Sequence, residues 1–153
     1  MRKQFFGLAL CVALAASSVA FASDAQLSGL EGLVTCSQGQ LAQAEVAAIG
    51  RSQGFSQDPK NKNYYVPTGK ATAFGFELRY VGLAGVRFQP GPNLTVVASV
   101  QELKGRVESA LNVSFTCGKI GCWHKLSKQQ VILIYPYETN HAFSTIQCGY
   151  FGQ

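Results

Sequence analysis

The chain has 153 residues, 13 Lys or Arg against 8 Asp or Glu, a formal net charge of +5, and 47% hydrophobic residues. That length suits one domain large enough to bury a core of its own. The basic excess is too small to argue for nucleic acid or anionic membranes, so neither is expected as a partner.

Residues 1–22 begin with Arg2 and Lys3, run through an apolar block from Phe5 to Ala16 and end on Ala20-Phe21-Ala22. Positive, apolar and small-residue regions in that order read as a secretory signal peptide, cleaved after Ala22. The apolar block is shorter than the roughly 20 residues a membrane-spanning helix requires, so no stable membrane insertion is expected once the signal is removed. Leu10, where a small residue is wanted, argues against acylation of Cys11. Taking 22 residues from 153 leaves 131, and losing Arg2 and Lys3 lowers the net charge from +5 to +3. Residues 23–153 are therefore expected to form a single periplasmic or secreted domain. If the source were eukaryotic, Asn93-Leu-Thr95 and Asn112-Val-Ser114 would be glycan acceptors.

Leu33 to Ser37 has the β-branched, apolar character of a short strand. From Gln38 the period changes: Leu41, Ala44, Val46, Ala48 and Ile49 approximate a helical stripe, with Gly50 as a stop. Gln57 to Lys70, rich in Pro, Asn and Lys, reads as a loop carrying Lys62, Tyr64 and Tyr65. Strands follow. Phe76, Leu78 and Tyr80 alternate with Glu77, Arg79 and Val81, and the segments GVRFQ and LTVVASV flank a turn at Pro90 to Asn93.

Val100, Leu103, Val107 and Leu111 then recur at helical spacing, with charges on the opposite face. Strand patterns resume with VSFTC, CWHKL, QVILIYPY and AFSTIQCGYF, the last two joined by a hairpin at Glu138 to His141. A symmetric turn there sets Tyr137 opposite Ala142, Leu133 opposite Ile146 and Val131 opposite Cys148. Val131, Leu133, Tyr135, Ile146 and Cys148 would then share the core face. The expected fold is α+β: an antiparallel β-meander sheet with two helices packed on one face. Residues 38–98 and 99–150 each run helix then meander, which hints at a duplicated unit.

Without Cys11 the chain keeps Cys36, Cys117, Cys122 and Cys148. An even count in an exported protein reads as two disulfides. A thioredoxin-like pair would need two intervening residues where Cys117 and Cys122 have four. Zinc held by Cys117, Cys122, His124 and either His141 or Cys148 would compete with oxidation and matches no strong finger spacing. Three disulfide connectivities are open. Cys117 with Cys122 and Cys36 with Cys148 is favoured, because the first pair pins a turn and the second ties the first strand to the last.

No catalytic residues, metal or cofactor are expected. G-x-S-x-G is absent, an even cysteine count leaves no free thiol, and no carboxylate pair stands out. His124 and His141 are the one pair that could serve as general base and acid in a small hydrolase or nuclease. Tyr64, Tyr65, Lys62, Trp123, His124 and Lys125 are the candidate binding residues, since Tyr and Trp are common interface anchors. If Trp123 alternates away from Phe115 and Cys117, it is exposed or covered by a partner; the alternative is that it packs under a helix. The general architecture is similar to that of small periplasmic inhibitor or immunity proteins. The expectation is a stoichiometric protein-binding module whose partner is an exported enzyme or toxin; a structural envelope or adhesin subunit is a further alternative.

Overall fold

The computed structural model describes residues 29–39, 41–83, 91–138 and 140–150. The signal-peptide reading and the strand expected at 85–89 fall outside them. The first described element is helix α1, Gly29–Val34, whose last two residues, Leu33 and Val34, fall in the strand expected at Leu33 to Ser37. Leu30, Leu33 and Val34 stand at i, i+3 and i+4, so the spacing that buries them is helical despite the β-branched Val34 and Thr35. Thr35 Oγ1 donates to the Glu31 carbonyl at 2.9 Å. Cys36 at φ 62° then turns the chain out of the helix.

Helix α2, Gln43–Ser52, buries Val46, Ala47 and Gly50. The Glu45 carboxylate accepts from the Ala42 N–H at 2.7 Å, closing its first turn. Strands β1 (Phe55–Gln57), β2 (Tyr64–Pro67), β3 (Thr72–Ala73), β4 (Phe76–Gly82) and β5 (Asn93–Val96) follow. The expected loop at Gln57 to Lys70 is thus a correction in part, because Tyr64 and Tyr65 open a strand. Phe74 and Gly75 form a two-residue turn between β3 and β4, both at positive φ of 53° and 81°, as a type I′ hairpin requires. The Phe74 N–H donates to the Glu31 carboxylate, tying that turn to α1.

Helix α3, Val100–Leu111, starts at a capping box in which Ser99 Oγ accepts from Glu102 N–H and Glu102 accepts from Ser99 N–H. It ends at Asn112 in the left-handed region. Leu103 and Val107 are fully buried, each a side chain whose removal from water is worth about 1.5–3 kcal/mol. Strands β6 (Thr116–Gly118), β7 (Gly121–Lys125), β8 (Gln130–Tyr137) and β9 (Asn140–Tyr150) complete the order. Ser114, expected in a strand, precedes β6.

The strands form one antiparallel sheet ordered β1-β2-β4-β5-β9-β8-β7-β6, with β3 pairing beside β4. Strands of the first half ascend to β5, strands of the second half descend from β9, and β5 and β9 meet in the middle. Cα pairing places Tyr65, Val81, Leu94, Ile146, Ile134, Cys122 and Cys117 in one row across the sheet. Most of that row is buried in the core with Leu33, Val46, Leu103 and Val107. α1 contacts β5 and β9, while α3 contacts β7, β8 and β9.

Both disulfides form in the favoured pairing. Cys36–Cys148 joins the end of α1 to β9 with a Cα separation of 5.2 Å, and Cys117–Cys122 bridges β6 and β7 at 4.0 Å. Disulfides accord with an oxidising compartment.

Two side-chain assignments differ from expectation, each because of a register shift. On β8 and β9 the pairs are Ile132 with Cys148, Leu133 with Gln147 and Ile134 with Ile146, one residue from the symmetric hairpin. Ile132 and Ile134 therefore occupy the core face, and Val131, Leu133 and Tyr135 the other, since a one-residue slip exchanges every face. The turn is tighter than expected, pairing Tyr137 with Asn140, and a bulge that leaves His141, Ala142 and Phe143 without strand partners absorbs the difference. On β4 a second bulge lies between Leu78 and Tyr80. Leu78 consequently faces the core while Tyr80 joins the opposite face, where Phe76, Leu78 and Tyr80 had been expected together.

Candidate functional site

The face of the sheet away from the core row has a different chemistry. Its central cross-strand row reads Trp123, Leu133, Gln147, Asn93, Gly82 and Tyr64. The next reads Tyr135, Thr145, Thr95 and Tyr80. Buried polar groups form a floor at its centre. Thr95 and Thr145 share a hydrogen bond at 3.0 Å, and the Tyr135 hydroxyl donates to Gln147 Oε1 at 2.9 Å. Satisfying these groups against one another is what permits polar residues to be fully buried here. Gly82 is required by this floor, since a Cβ at that position would stand 2.4 Å from the Asn93 side chain.

Above the floor lies an aromatic chain assembled by the two bulges. Tyr64 meets Tyr80 edge-on at 5.6 Å between ring centroids, Tyr80 stacks on Tyr137 at 5.8 Å, and Tyr137 meets Phe143 at 6.5 Å. The Arg79 guanidinium sits 5.6 Å over the Phe143 ring. Arg79 and Phe143 are both bulge residues, from β4 and β9 on either side of β5. Each bulge turns its side chain out of the pleat, and together they set a cation against an aromatic face.

Tyr64, Tyr135, Pro136, Tyr137 and Glu138 wall a small cleft whose floor is Asn93, Thr95 and Thr145. Burial raises the Tyr64 phenol above its ordinary value, and the Glu138 carboxylate and the Tyr80 ring raise it further. Tyr137 is raised first by burial, then by Tyr64, Glu138, Tyr80 and Asp58. Both phenols stay protonated at neutral pH, and Glu138 is the one carboxylate in the described lining of the cleft. A larger cleft of about 590 Å³ adjoins Tyr80, lined by Lys70, Glu77 and Arg79 and by Val66, Pro67, Gly69, Ala71 and Thr72.

Of the residues expected to bind, Tyr64 is half-buried in this aromatic chain and Tyr65 is not on the surface. Neighbours on a strand point to opposite faces. Tyr65 accordingly enters the core at 5% exposure, its hydroxyl accepting from Arg51 Nη1 at 3.2 Å, and its assignment as a surface contact is corrected. Lys62 is exposed in the connection before β2, where its carbonyl accepts from Gln57 Nε2 at 2.9 Å.

Trp123 does alternate away from the buried Cys122, and its ring is 38% exposed against Gly118. It lines a cavity of about 370 Å³ with Lys125, Val131 and Leu133. His124 points the other way, packed on Phe115, with Nδ1 2.8 Å from the Ser114 carbonyl. A carbonyl only accepts, so Nδ1 carries the proton of that bond.

His124 and His141 are not brought together. His124 stands opposite Ile132, whereas His141 lines a cavity with Pro136, four residues further along β8, and His124 is not among that cavity's lining. With Cys36, Cys117, Cys122 and Cys148 all in disulfides, no described thiolate is left to bind zinc. Among the described residues no helix is long and apolar enough to cross a membrane.

Tyr80, Tyr137, Phe143 and Arg79 were missed from sequence. Their one signal was the aromatic density of the strands, which does not say which face a ring takes or which strands are neighbours. Comparison of the chain with protein-family models, curated protein sequences and solved structures found no match.

Proposed function

We propose that the protein is an exported, stoichiometric protein-binding module of the inhibitor or immunity type, periplasmic or secreted, that engages its partner through the sheet face bearing Tyr64 and Trp123. One observation carries this reading: the two anchors stand in one cross-strand row at opposite sides of the sheet. Five strand spacings separate them, about 24 Å. That span matches the footprint of a standard interface, about 800 Å² per partner, and is far wider than a small-molecule pocket.

The second face is suited to this use because the helices are read as covering the first, and because two disulfides and a paired polar floor hold it rigid. A preorganised surface loses little conformational entropy on binding. The sheet order, ascending in one half and descending in the other about the antiparallel β5·β9 pair, supports reading the fold as a duplicated helix-plus-meander unit. A two-fold axis perpendicular to the sheet would relate such units and leave both helices on one side.

The test is affinity capture by the oxidised protein from its native envelope and culture fractions, followed by calorimetry with the retained partner. Trp123→Ala and Tyr64→Ala are each expected to weaken binding by about 2 kcal/mol or more, roughly thirtyfold. Arg106→Ala, on α3, should leave affinity unchanged. Equal sensitivity at Arg106, or recovery of the protein alone as a monomer, would reject the reading.

A further inference from the structure

The cleft at the Tyr64 end of the face is too small for a metabolite. Its volume is about 20 Å³, room for one or two waters or for the head group of one inserted side chain. Three tyrosines, Tyr64, Tyr135 and Tyr137, line it. Ring faces carry negative potential and attract a cation placed within about 6 Å. Glu138 closes the rim with a carboxylate, and Asn93, Thr95 and Thr145 form a polar floor. The described lining contains no Lys, Arg or His.

Position 138 is itself built into the turn. Glu138 adopts φ 46°, the left-handed conformation that a two-residue hairpin requires and that Gly, Asn or Asp would adopt with less strain. A glutamate there sets its carboxylate beside the Tyr64 and Tyr137 rings.

We propose that this cleft is the receptor for one cationic side chain, an arginine or lysine head group, presented by the partner protein. The inference rests on the protein-binding reading above and names the partner residue that the Tyr64 end would accept. The cation would lie against the tyrosine rings and pair with the Glu138 carboxylate. A guanidinium satisfies the site best, because its N–H donors reach both a carboxylate and hydroxyl oxygens in one plane.

The experiment needs no partner. The oxidised protein, with its tyrosine rings labelled for NMR, is titrated with arginine capped at both ends, with identically capped citrulline, and with tetramethylammonium chloride. Capped arginine should shift the Tyr64 and Tyr137 ring resonances saturably, with an affinity on the order of millimolar for a lone side chain. Capped citrulline, uncharged and of nearly the same shape, should shift neither.

Tetramethylammonium should bind more weakly than arginine, having charge but no donors. Glu138→Gln should weaken arginine binding about two- to fivefold without altering the circular dichroism spectrum. Equal shifts with citrulline, tighter binding of tetramethylammonium, or an unchanged affinity in Glu138→Gln would each overturn the proposal. Such a failure would leave the Trp123 and Tyr64 capture test untouched, so the two readings fall separately.

Discussion

The two disulfides close loops of very different length, and that difference can be measured. Cys36 and Cys148 are 112 residues apart, so the chain-entropy relation gives about 4.8 kcal/mol at 25 °C for the bridge. Cys117 and Cys122 are 5 apart, for which the same relation gives about 2 kcal/mol. Burial acts in the same direction: Cys148 is fully buried and Cys36 nearly so, whereas Cys117 is exposed. Urea unfolding, followed by far-ultraviolet circular dichroism, is compared for the oxidised protein and for the pairs Cys36→Ala/Cys148→Ala and Cys117→Ala/Cys122→Ala.

At an m-value of about 1.5 kcal/mol/M, the midpoint should fall by about 3 M for the long-range pair and just over 1 M for the short one. Domains of this size are stable by only about 5–15 kcal/mol, so the first variant should be close to unfolded at 37 °C. Equal losses for the two pairs, or a larger loss for the short loop, would refute the reasoning.

Ile134→Ala should destabilise the protein by about 2–5 kcal/mol, because Ile134 is fully buried between Cys122 and Ile146 in the core row. Leu133→Ala, one residue away on the other face and only partly buried, should cost less; the reverse order in thermal melts would mean the register is the symmetric one. The phenols of Tyr64, Tyr137 and Tyr150 are all raised, in each case chiefly by burial. Their contribution to stability is fully present below the unfolded phenol value near pH 10 and is lost as pH rises through the higher folded values. Ultraviolet difference titration should show three late-ionising tyrosines, Tyr64, Tyr137 and Tyr150. Tyr64 and Tyr137 should ionise earlier in Glu138→Gln while Tyr150, raised by its own burial, should not, and no change in that variant would contradict the carboxylate's influence.

Local rules were legible wherever one face of an element is apolar and the other is not. Leu103 and Val107 announced α3 by their spacing, and the charges opposite them left no competing period. The spacing of Phe115, Cys117 and Cys122 favoured pairing Cys117 with Cys122 across a short turn, and the structure chose that pairing from three open connectivities. Tyr64 and Tyr65 were legible as aromatics but not as a pair with opposite fates, because their polar neighbours resembled a loop more than a strand. α1 was misread for the converse reason: Val34 and Thr35 favour strands, and a helix this short is held by burial against β5 and β9 rather than by propensity.

The sequence by itself determined the disulfide-bearing α+β character and helix α3, since each depends on contacts near in the chain or on a strict period. Only the tertiary structure decided the β8–β9 register, because the segment VILIYPY is apolar on both faces and pairs as plausibly one residue either way. That register, with bulges at Arg79 and at His141 to Phe143, sends Leu133 and Tyr135 to the second face and gathers Tyr64, Tyr80, Tyr137 and Phe143 there. Those rings come from four strands and from positions up to 79 residues apart. Their assembly follows from strand order and bulge position, which are properties of the whole sheet and of no single segment.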